Sequence, residues 1–481
     1  MARHHDIRTG WAPGNWRHKP IAQTPDYPDR QKLDAVEAQL AKSPPLIVAH
    51  ETRKLQSALA RVEAGDAFLF QAGDCAEAFC EQSAEAVQDF LRVHLKTSAI
   101  LAFGTALPVV PIGRIAGQYA KPRTSPTETV GAIELPSYRG DIINAFEFTA
   151  EGRIPDPDRQ ITAYRHGATT LQLLRAFIGG ELSEIENISH WIVEAAKPGS
   201  LFHHHREIVD GVVDAFRFMK AWDVGSGRCP EPASTDFYTS HEGLLLGYEQ
   251  ALTRVDGTTG DWYAGSAHFL WIGDRTRQPD HAHVEYFRGI SNPIGIKCGP
   301  TLSAAELVQL LEILDPDDQP GRITLICRMG AGRVAASLPP LIKAVRQAGR
   351  SVIWCCDPMH GNTVKAGNGQ KTRVFDDIVQ EIEGFFAIHA AEGTHAGGLH
   401  LEMTAQPVTE CLGGVTDIQE DDLERCYRTY CDPRLNGRQT VELALLVADM
   451  LRTRRKQRPF DSSVFQIGEN ASKALEGSGL R

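Results

Sequence analysis

The sequence lacks the marks of several large classes of protein. No apolar run approaches the roughly 18 residues of a membrane helix, and the start of the chain has no apolar leader. Its ten cysteines include no C-x-x-C pair, which argues against a zinc ribbon or a disulfide framework. A net charge of −11 argues against non-specific binding to nucleic acid or anionic membranes. We therefore expect a cytoplasmic protein with no nucleic-acid or membrane partner.

The sequence also has little that suggests disorder. Hydrophobic residues make up 42% of the 481 positions and charged residues 23%, which are ordinary globular values. A chain of this length can hold up to about three domains, but one barrel can absorb about 250 residues or more. A single elaborated domain is therefore possible.

Eight short apolar segments, mostly separated by helical patterns, predict β-strands. Most end in polar or charged residues. They are residues 67–75, 108–114, 237–241, 268–273, 293–297, 323–328, 352–356 and 399–403. Eight such strands indicate an α/β fold, a (β/α)8 TIM barrel with its site at the carboxyl ends of the strands. A doubly wound open sheet is the alternative, but neither G-x-G-x-x-G nor the P-loop motif occurs.

The remaining segments are arranged around the barrel. We predict an N-terminal extension wrapped on the barrel over residues 1–65, the barrel itself over 66–455 and a C-terminal tail over 456–481. A helical insertion is expected at about 142–235, between strands two and three. Three helical patterns with no strand signal between them support it, near 160–178, 182–195 and 205–222.

Four residues at or beyond strand ends could bind a metal ion. His360 follows the seventh strand, and Glu402 lies on the polar face of the eighth. With Cys75 after the first strand and Asp432 in a later loop, they suit a divalent ion, Mn²⁺ first and otherwise Co²⁺, Fe²⁺ or Zn²⁺. The alternative is that Cys75 is a packed thiol and that His360 caps its loop.

A second group of strand-end and loop residues is basic. Its members are Arg114, Lys121, Arg123, Arg275, Lys297 and Arg328. Cations at the positions where a barrel contacts its substrate favour phosphorylated, acidic substrates. The alternative is solvated surface charge, which is the usual situation of arginine and lysine.

Nine segments carry a resemblance to a known family. They are 70–77 (FQAGDCAE), 117–124 (GQYAKPRT), 135–141 (LPSYRGD), 239–242 (TSHE), 271–278 (WIGDRTRQ), 356–363 (CDPMHGNT), 392–395 (EGTH), 408–411 (VTEC) and 431–436 (CDPRLN). From about residue 10 to 455 the chain resembles the plant-type, class II 3-deoxy-D-arabino-heptulosonate 7-phosphate (DAHP) synthases. The resemblance implies a (β/α)8 transferase that condenses phosphoenolpyruvate with erythrose 4-phosphate and water, releasing phosphate, at the entry to the shikimate pathway.

The resemblance also implies roles for individual residues. The metal would be held by Cys75, His360, Glu402 and Asp432. Phosphoenolpyruvate would contact Arg114, Arg275, Lys297 and Arg328, and the aldose phosphate would contact Lys121, Arg123 and Thr124. We expect Lys297, Arg275 and Asp274 to act in catalysis, with Lys297 relaying a proton. The family further implies a homodimer or homotetramer and an aromatic effector bound through the inserted helices.

Two positions depart from the family pattern. Asp274 stands where the family has glutamate, and Ala72 stands where it has glycine. The shorter carboxylate leaves open a relative that uses an amino-sugar phosphate. A non-catalytic regulatory protein that binds aromatic metabolites is a further alternative, which loss of the metal ligands would favour.

Overall fold

The computed structural model describes residues 10–179, 206–221 and 236–457, and eight parallel strands in them close into a barrel. The strands are β1 (Phe68–Gly73), β2 (Val109–Arg114), β3 (Tyr238–Glu242), β4 (Phe269–Ile272), β5 (Ile294–Cys298), β6 (Ile323–Cys327), β7 (Ile353–Cys356) and β8 (Gly398–Glu402). Each strand pairs with its successor in this order, and β8 pairs with β1. The predicted (β/α)8 barrel is confirmed, and the open-sheet alternative is wrong.

Helices surround the barrel. They are α1 (Arg30–Lys42), α2 (Ala49–Ala64), α3 (Ala84–Thr105), α4 (Asp158–Ile178), α5 (Arg206–Ala221), α6 (Leu246–Leu252), α7 (Ala282–Phe287), α8 (Ala304–Leu314), α9 (Val334–Gln347), α10 (Phe375–Glu392) and α11 (Gly437–Gln457). Local chemistry defines several ends. The Ser83 hydroxyl caps α3 by accepting the Ala86 N–H, and α10 ends at Gly393 with a φ of +67°.

The interior of the barrel changes from apolar to polar along the strands. At its amino-terminal end Leu69 and Ile353 join a buried apolar cluster. At the opposite end the inward residues are ionic, including Arg114, Lys297 and Glu402, all 5% exposed or less. The fold thus supplies an apolar floor beneath a charged site.

Helix α2 closes the apolar end of the barrel. Leu55, Leu59 and Val62 are fully buried in the same cluster as the interior strand residues. Farther toward the N-terminus, the Trp11 indole N–H donates to the Glu285 carbonyl at 2.9 Å. These contacts tie residues 11–62 to the barrel, while the limits of the extension, the insertion and the tail stay predictions.

Helices α3 and α11 approach each other closely. A Cβ placed on Gly104 of α3 would lie 2.4 Å from the Cα of Ala448 in α11. Only glycine permits this separation, because a methyl group would overlap the backbone of the neighbouring helix. The packing therefore depends on a residue that contributes no side chain.

Three short hairpins escaped prediction, because strands of only three or four residues are too short to show a reliable period. They pair Thr127–Val130 with Ile133–Pro136, Thr253–Val255 with Trp262–Ala264, and Thr363–Lys365 with Lys371–Arg373. Helices α4 and α5 confirm two of the predicted inserted helices, whereas the one near 182–195 falls outside the described residues. No helix in the described ranges is long and apolar enough to cross a membrane.

Candidate active site

A cavity of about 640 Å³ opens at the carboxyl ends of the strands. All seven predicted substrate contacts line it: Arg114, Lys121, Arg123, Thr124, Arg275, Lys297 and Arg328. Asp274, His360 and Asp432 line it as well. The structure therefore brings into one cavity residues that are up to 318 positions apart in the chain.

The four predicted metal ligands meet beside this cavity, which His360 and Asp432 also line. The Cys75 thiol and one carboxylate oxygen each from Glu402 and Asp432 lie within 4.8 Å of one another. The His360 Nε2 atom lies 3.0 Å from the Glu402 Oε1 atom. One thiol, one imidazole and two carboxylates are thus gathered from four separate segments.

A tight turn after β1 positions Cys75. Gly73 has a φ of +151°, and a Cβ there would lie 2.5 Å from the Arg114 carbonyl oxygen. Glycine is therefore required for the chain to turn beside β2. The Asp432 backbone N–H then donates to the Cys75 sulfur at 3.1 Å, which joins two of the ligand segments directly.

Asp357 orients the imidazole of His360. The His360 Nδ1–H donates to the Asp357 carboxylate at 2.8 Å, so Nε2 faces Glu402. Burial opposes ionisation of Asp357, but His360 and Lys297 hold its pKa well below the usual value. Burial lowers the pKa of His360, which favours the neutral imidazole that metal binding needs.

The ligand set fits a divalent cation. The Lys121 ammonium already lies 3.3 Å from the Cys75 sulfur, 2.9 Å from Glu402 Oε1 and 3.2 Å from Asp432 Oδ2. The point where the thiol and carboxylates converge thus accommodates positive charge. Mixed sulfur, nitrogen and oxygen donors are those expected for Mn²⁺, Fe²⁺, Co²⁺ or Zn²⁺.

Two of the predicted phosphoenolpyruvate contacts share one acceptor. Arg114 and Lys297 approach the Nε2 atom of His400 at 2.5 and 2.7 Å, while His400 Nδ1 lies 2.8 Å from the Gln71 amide oxygen. Burial and the two cations hold the pKa of His400 well below its usual value. A neutral His400 therefore donates to Gln71 and accepts from both cations, which fixes their separation.

Asp274, in the wall of the cavity, accepts hydrogen bonds from two arginines and one backbone amide. Its Oδ2 atom accepts from Arg328 at 2.8 Å, and its Oδ1 atom accepts from Arg277 at 3.2 Å. The Gly299 N–H also donates to Oδ1 at 3.3 Å. Within this structure the side chain is thus engaged in holding Arg328, one of the predicted phosphoenolpyruvate contacts.

The predicted aldose-phosphate contacts fall in two places. Arg275 donates to the Thr124 hydroxyl at 2.6 Å, and Arg123 forms an ion pair with Glu128 of the first hairpin. Lys121 lies deeper, against the metal-ligand group. The family resemblance implied a single set of three contacts, whereas in the structure Lys121 lies apart from Arg123 and Thr124.

Sequence reasoning missed several residues of the cavity. Glu242 ends β3, and its buried Oε1 atom has no hydrogen-bond partner among the described residues. Its place at a strand end was a usable signal. Lys365 and Lys371 line the cavity from the third hairpin, and Lys371 lies 2.8 Å from Asp432. No signal pointed to them, because that hairpin was not predicted.

Comparison with known proteins gives consistent matches. The sequence model described as the class-II DAHP synthetase family matches residues 11–448. A phospho-2-dehydro-3-deoxyheptonate aldolase of Streptomyces coelicolor is 47% identical over 449 residues, which cover 93% of this chain and 99% of that protein. One of the same name from Neurospora crassa is 44% identical over 465 residues, covering 93% and 96%.

A solved structure also aligns, more loosely. It is a truncated form of 3-deoxy-D-arabino-heptulosonate 7-phosphate synthase from Thermotoga maritima, with a TM-score of 0.34 and 13% identity. The alignment covers 81% of this chain and 88% of that one.

Proposed function

The chain belongs to the class-II DAHP synthetase family, and on that premise we propose that it condenses phosphoenolpyruvate with D-erythrose 4-phosphate and water. The products are DAHP and phosphate. The observation that carries the proposal is one cavity that is lined by eight lysine and arginine side chains and lies beside the four proposed metal-ligand groups. Two phosphorylated substrates, one of which is also a carboxylate, need such an excess of positive charge.

In the proposed reaction, C3 of phosphoenolpyruvate forms a bond to the aldehyde carbon, water adds at C2 and phosphate leaves. An ion held by Cys75, His360, Glu402 and Asp432 would act as a Lewis acid on the aldehyde. The residues of the chain itself would orient the two substrates and balance their charge.

Arg114 and Lys297 would bind and orient the enol-phosphate substrate, since His400 holds them side by side. Arg275 and Arg328 would bind its phosphate and stabilise the charge that develops as the phosphate leaves. Burial lowers the pKa of Lys297 to about 8, which suits a group that moves a proton near neutral pH.

Glu242 is the carboxylate available to take a proton from the attacking water. Its Oε1 atom lacks a partner in the described part of the chain, and burial raises its pKa despite nearby cations such as Lys121 and Lys297. A carboxylate with a raised pKa is a better proton acceptor than an ordinary one. Asp274 would act by positioning Arg328.

One assay separates the synthase from the two alternatives, a relative that uses an amino-sugar phosphate and a non-catalytic regulatory protein. Asp274, which stands where the family has glutamate, contacts Arg277 and Arg328. Its shorter side chain therefore affects the part of the site that would bind the enol phosphate. Loss of the proposed ligand residues would favour the non-catalytic alternative, and all four residues are present in the chain. No observation favours either one over the synthase.

The assay follows consumption of phosphoenolpyruvate with erythrose 4-phosphate, with its amino-sugar counterpart, and with neither. Turnover that needs erythrose 4-phosphate supports the proposal, and turnover only with the amino sugar contradicts it. Arg123→Met should raise the KM for the aldose phosphate about tenfold or more, because a charged hydrogen bond is worth roughly 1.5–3 kcal/mol. Arg165→Met, an exposed arginine of α4 outside the cavity, is the matched control.

We further propose that the enzyme is a homodimer or homotetramer and that an aromatic amino acid or pathway metabolite regulates it. The support is the long segment between β2 and β3, because such long interruptions are usually functional. Light scattering combined with assays in the presence of each aromatic amino acid tests both statements. A monomer indifferent to all three would contradict them.

A further inference from the structure

A second cavity, of about 670 Å³, lies between α3 and the start of α11. We call it the α3–α11 cavity. Its third wall is formed by the segment that follows β8, residues 405–425. Its volume is within the range of small-molecule sites, and Val93, Val408 and Val441 give it apolar walls.

The charged residues of the α3–α11 cavity are predominantly basic. Arg92, Lys96, Arg425 and Arg438 line it, whereas Asp422 is its one lining carboxylate. Arg92 pairs with Asp89 at 3.0 Å and Arg425 with Asp422 at 2.8 Å, which leaves Lys96 and Arg438 as cations with no carboxylate partner in the described part of the chain, whose net charge is −11 overall. Such a local excess of positive charge attracts anions.

Lys96 lacks a counterion. Its ammonium has no ion-pair or hydrogen-bond partner among the residues that the structure describes, and burial alone lowers its pKa. Lys96 is partly buried, and partial removal of a charged amine from water without a partner is unfavourable. A bound anion would supply that partner. The neighbouring Asn436 and Gly437 add the amino-terminal end of the 21-residue helix α11, where anions are also stabilised.

Two segments that form walls of this cavity begin close to proposed metal ligands in the sequence. Ala405 follows Glu402 by three residues, and Asn436 follows Asp432 by four. The Asn436 side chain donates to the Val408 carbonyl at 3.0 Å, which joins the two walls. An occupant would therefore touch both segments that lead away from these two proposed metal ligands.

We propose that the α3–α11 cavity is a binding site for a small organic anion, a carboxylate or phosphate ester carried on an apolar body. The basic rim, led by Lys96, binds the anionic group, and the valine-lined walls bind the apolar part. The site is separate from the catalytic cavity and does not depend on the proposed reaction.

Calorimetric titration of the full chain tests this. The probes are 3-phenylpropionate and its neutral amide, which has the same apolar body. The carboxylate should bind at least tenfold more tightly than the amide. Lys96→Met, and separately Arg438→Met with its exposed side chain, should weaken carboxylate binding about tenfold or more. Arg455→Met, at the far end of α11, should not change it.

Arg123→Met removes a cation from the catalytic cavity and distinguishes the two sites. Affinity unchanged in this variant but lost in Lys96→Met supports the proposal. Equal loss in both would place the anion in the catalytic cavity and overturn it, as would absence of binding or full affinity in Lys96→Met. If Lys96→Met does not fold, Arg438→Met decides the question. Full carboxylate affinity in Arg438→Met would refute the claim that the basic residues bind the anionic group. Turnover is not measured, so failure here leaves the proposed reaction untouched.

Discussion

Replacing Asp357 by asparagine should impair both halves of the active site at once. The carboxylate accepts from Lys297 at 2.5 Å and from the His360 Nδ1–H at 2.8 Å, and it is fully buried. Asparagine keeps the shape but removes the charge, and its amide group can present a donor where His360 needs an acceptor. One substitution therefore reaches a proposed metal ligand and a proposed substrate contact.

The magnitude follows from the two contacts. A hydrogen bond to a charged group contributes about 1.5–3 kcal/mol, or roughly 10- to 150-fold. Loss of a partner that orients a metal-binding histidine typically costs about 10- to 100-fold in metal affinity. We expect Asp357→Asn to weaken Mn²⁺ binding by about 10- to 100-fold and to raise the KM for phosphoenolpyruvate about tenfold or more.

The pH profile provides an independent test. Burial lowers the pKa of Lys297 to about 8, and the Asp357 charge is the main influence that raises it. If the charged ammonium binds substrate, kcat/KM should fall as pH rises through about 8, because Lys297 loses its proton there. Without Asp357 the pKa falls further, so this alkaline limb should move to lower pH in Asp357→Asn.

The assays are metal titration against a competing chelator and initial rates across pH. Asp376→Asn, an exposed carboxylate in the first turn of α10, is the control. Unchanged Mn²⁺ affinity together with an unchanged KM for phosphoenolpyruvate in Asp357→Asn would refute the reasoning. An unmoved alkaline limb would show that the group titrating there is not Lys297.

Three further predictions concern other parts of the molecule. Asp274→Glu should change the KM for phosphoenolpyruvate severalfold in steady-state rates, because the longer side chain shifts a held arginine; an unchanged value would make the position a spectator. Gly104→Val should lower thermal stability by about 2 kcal/mol or more, since its Cβ would lie 2.4 Å from the Ala448 Cα; calorimetry showing an unaltered Tm would contradict the helix contact. Oxidation of metal-stripped protein should join the neighbouring Cys75 and Cys431 in a reversible disulfide; peptide maps without this cross-link would exclude it.

The barrel could be predicted because each strand carries its own signal. An apolar run that ends in a polar residue is visible locally, and the alternation of β8 correctly placed Glu402 apart from Leu401. The same signal pointed to Cys75, His360 and Glu402 as candidate metal ligands and to several of the cations, all of which the structure brings to one end of the barrel. The carboxyl ends of the strands meet at one face of a barrel. Residues that follow predicted strands could therefore be assigned to one site before the structure was known.

The pairing inside the site could not be predicted in this way. Arg114 and His400 are 286 residues apart, and their contact depends on the register in which β2, β1 and β8 close the barrel. The depth of Lys121 likewise depends on how its loop folds back over Cys75. Sequence patterns name the residues of a strand end, but which of them touch is decided by packing between distant segments.

The central claim is that the four ligand residues hold an ion on which the condensation depends. The most direct measurement is the rate of DAHP formation from phosphoenolpyruvate and erythrose 4-phosphate before chelation, after chelation and after Mn²⁺ or Co²⁺ is restored. The account predicts loss of turnover on chelation and recovery with either ion. Full turnover by protein shown by elemental analysis to be free of metal would contradict it.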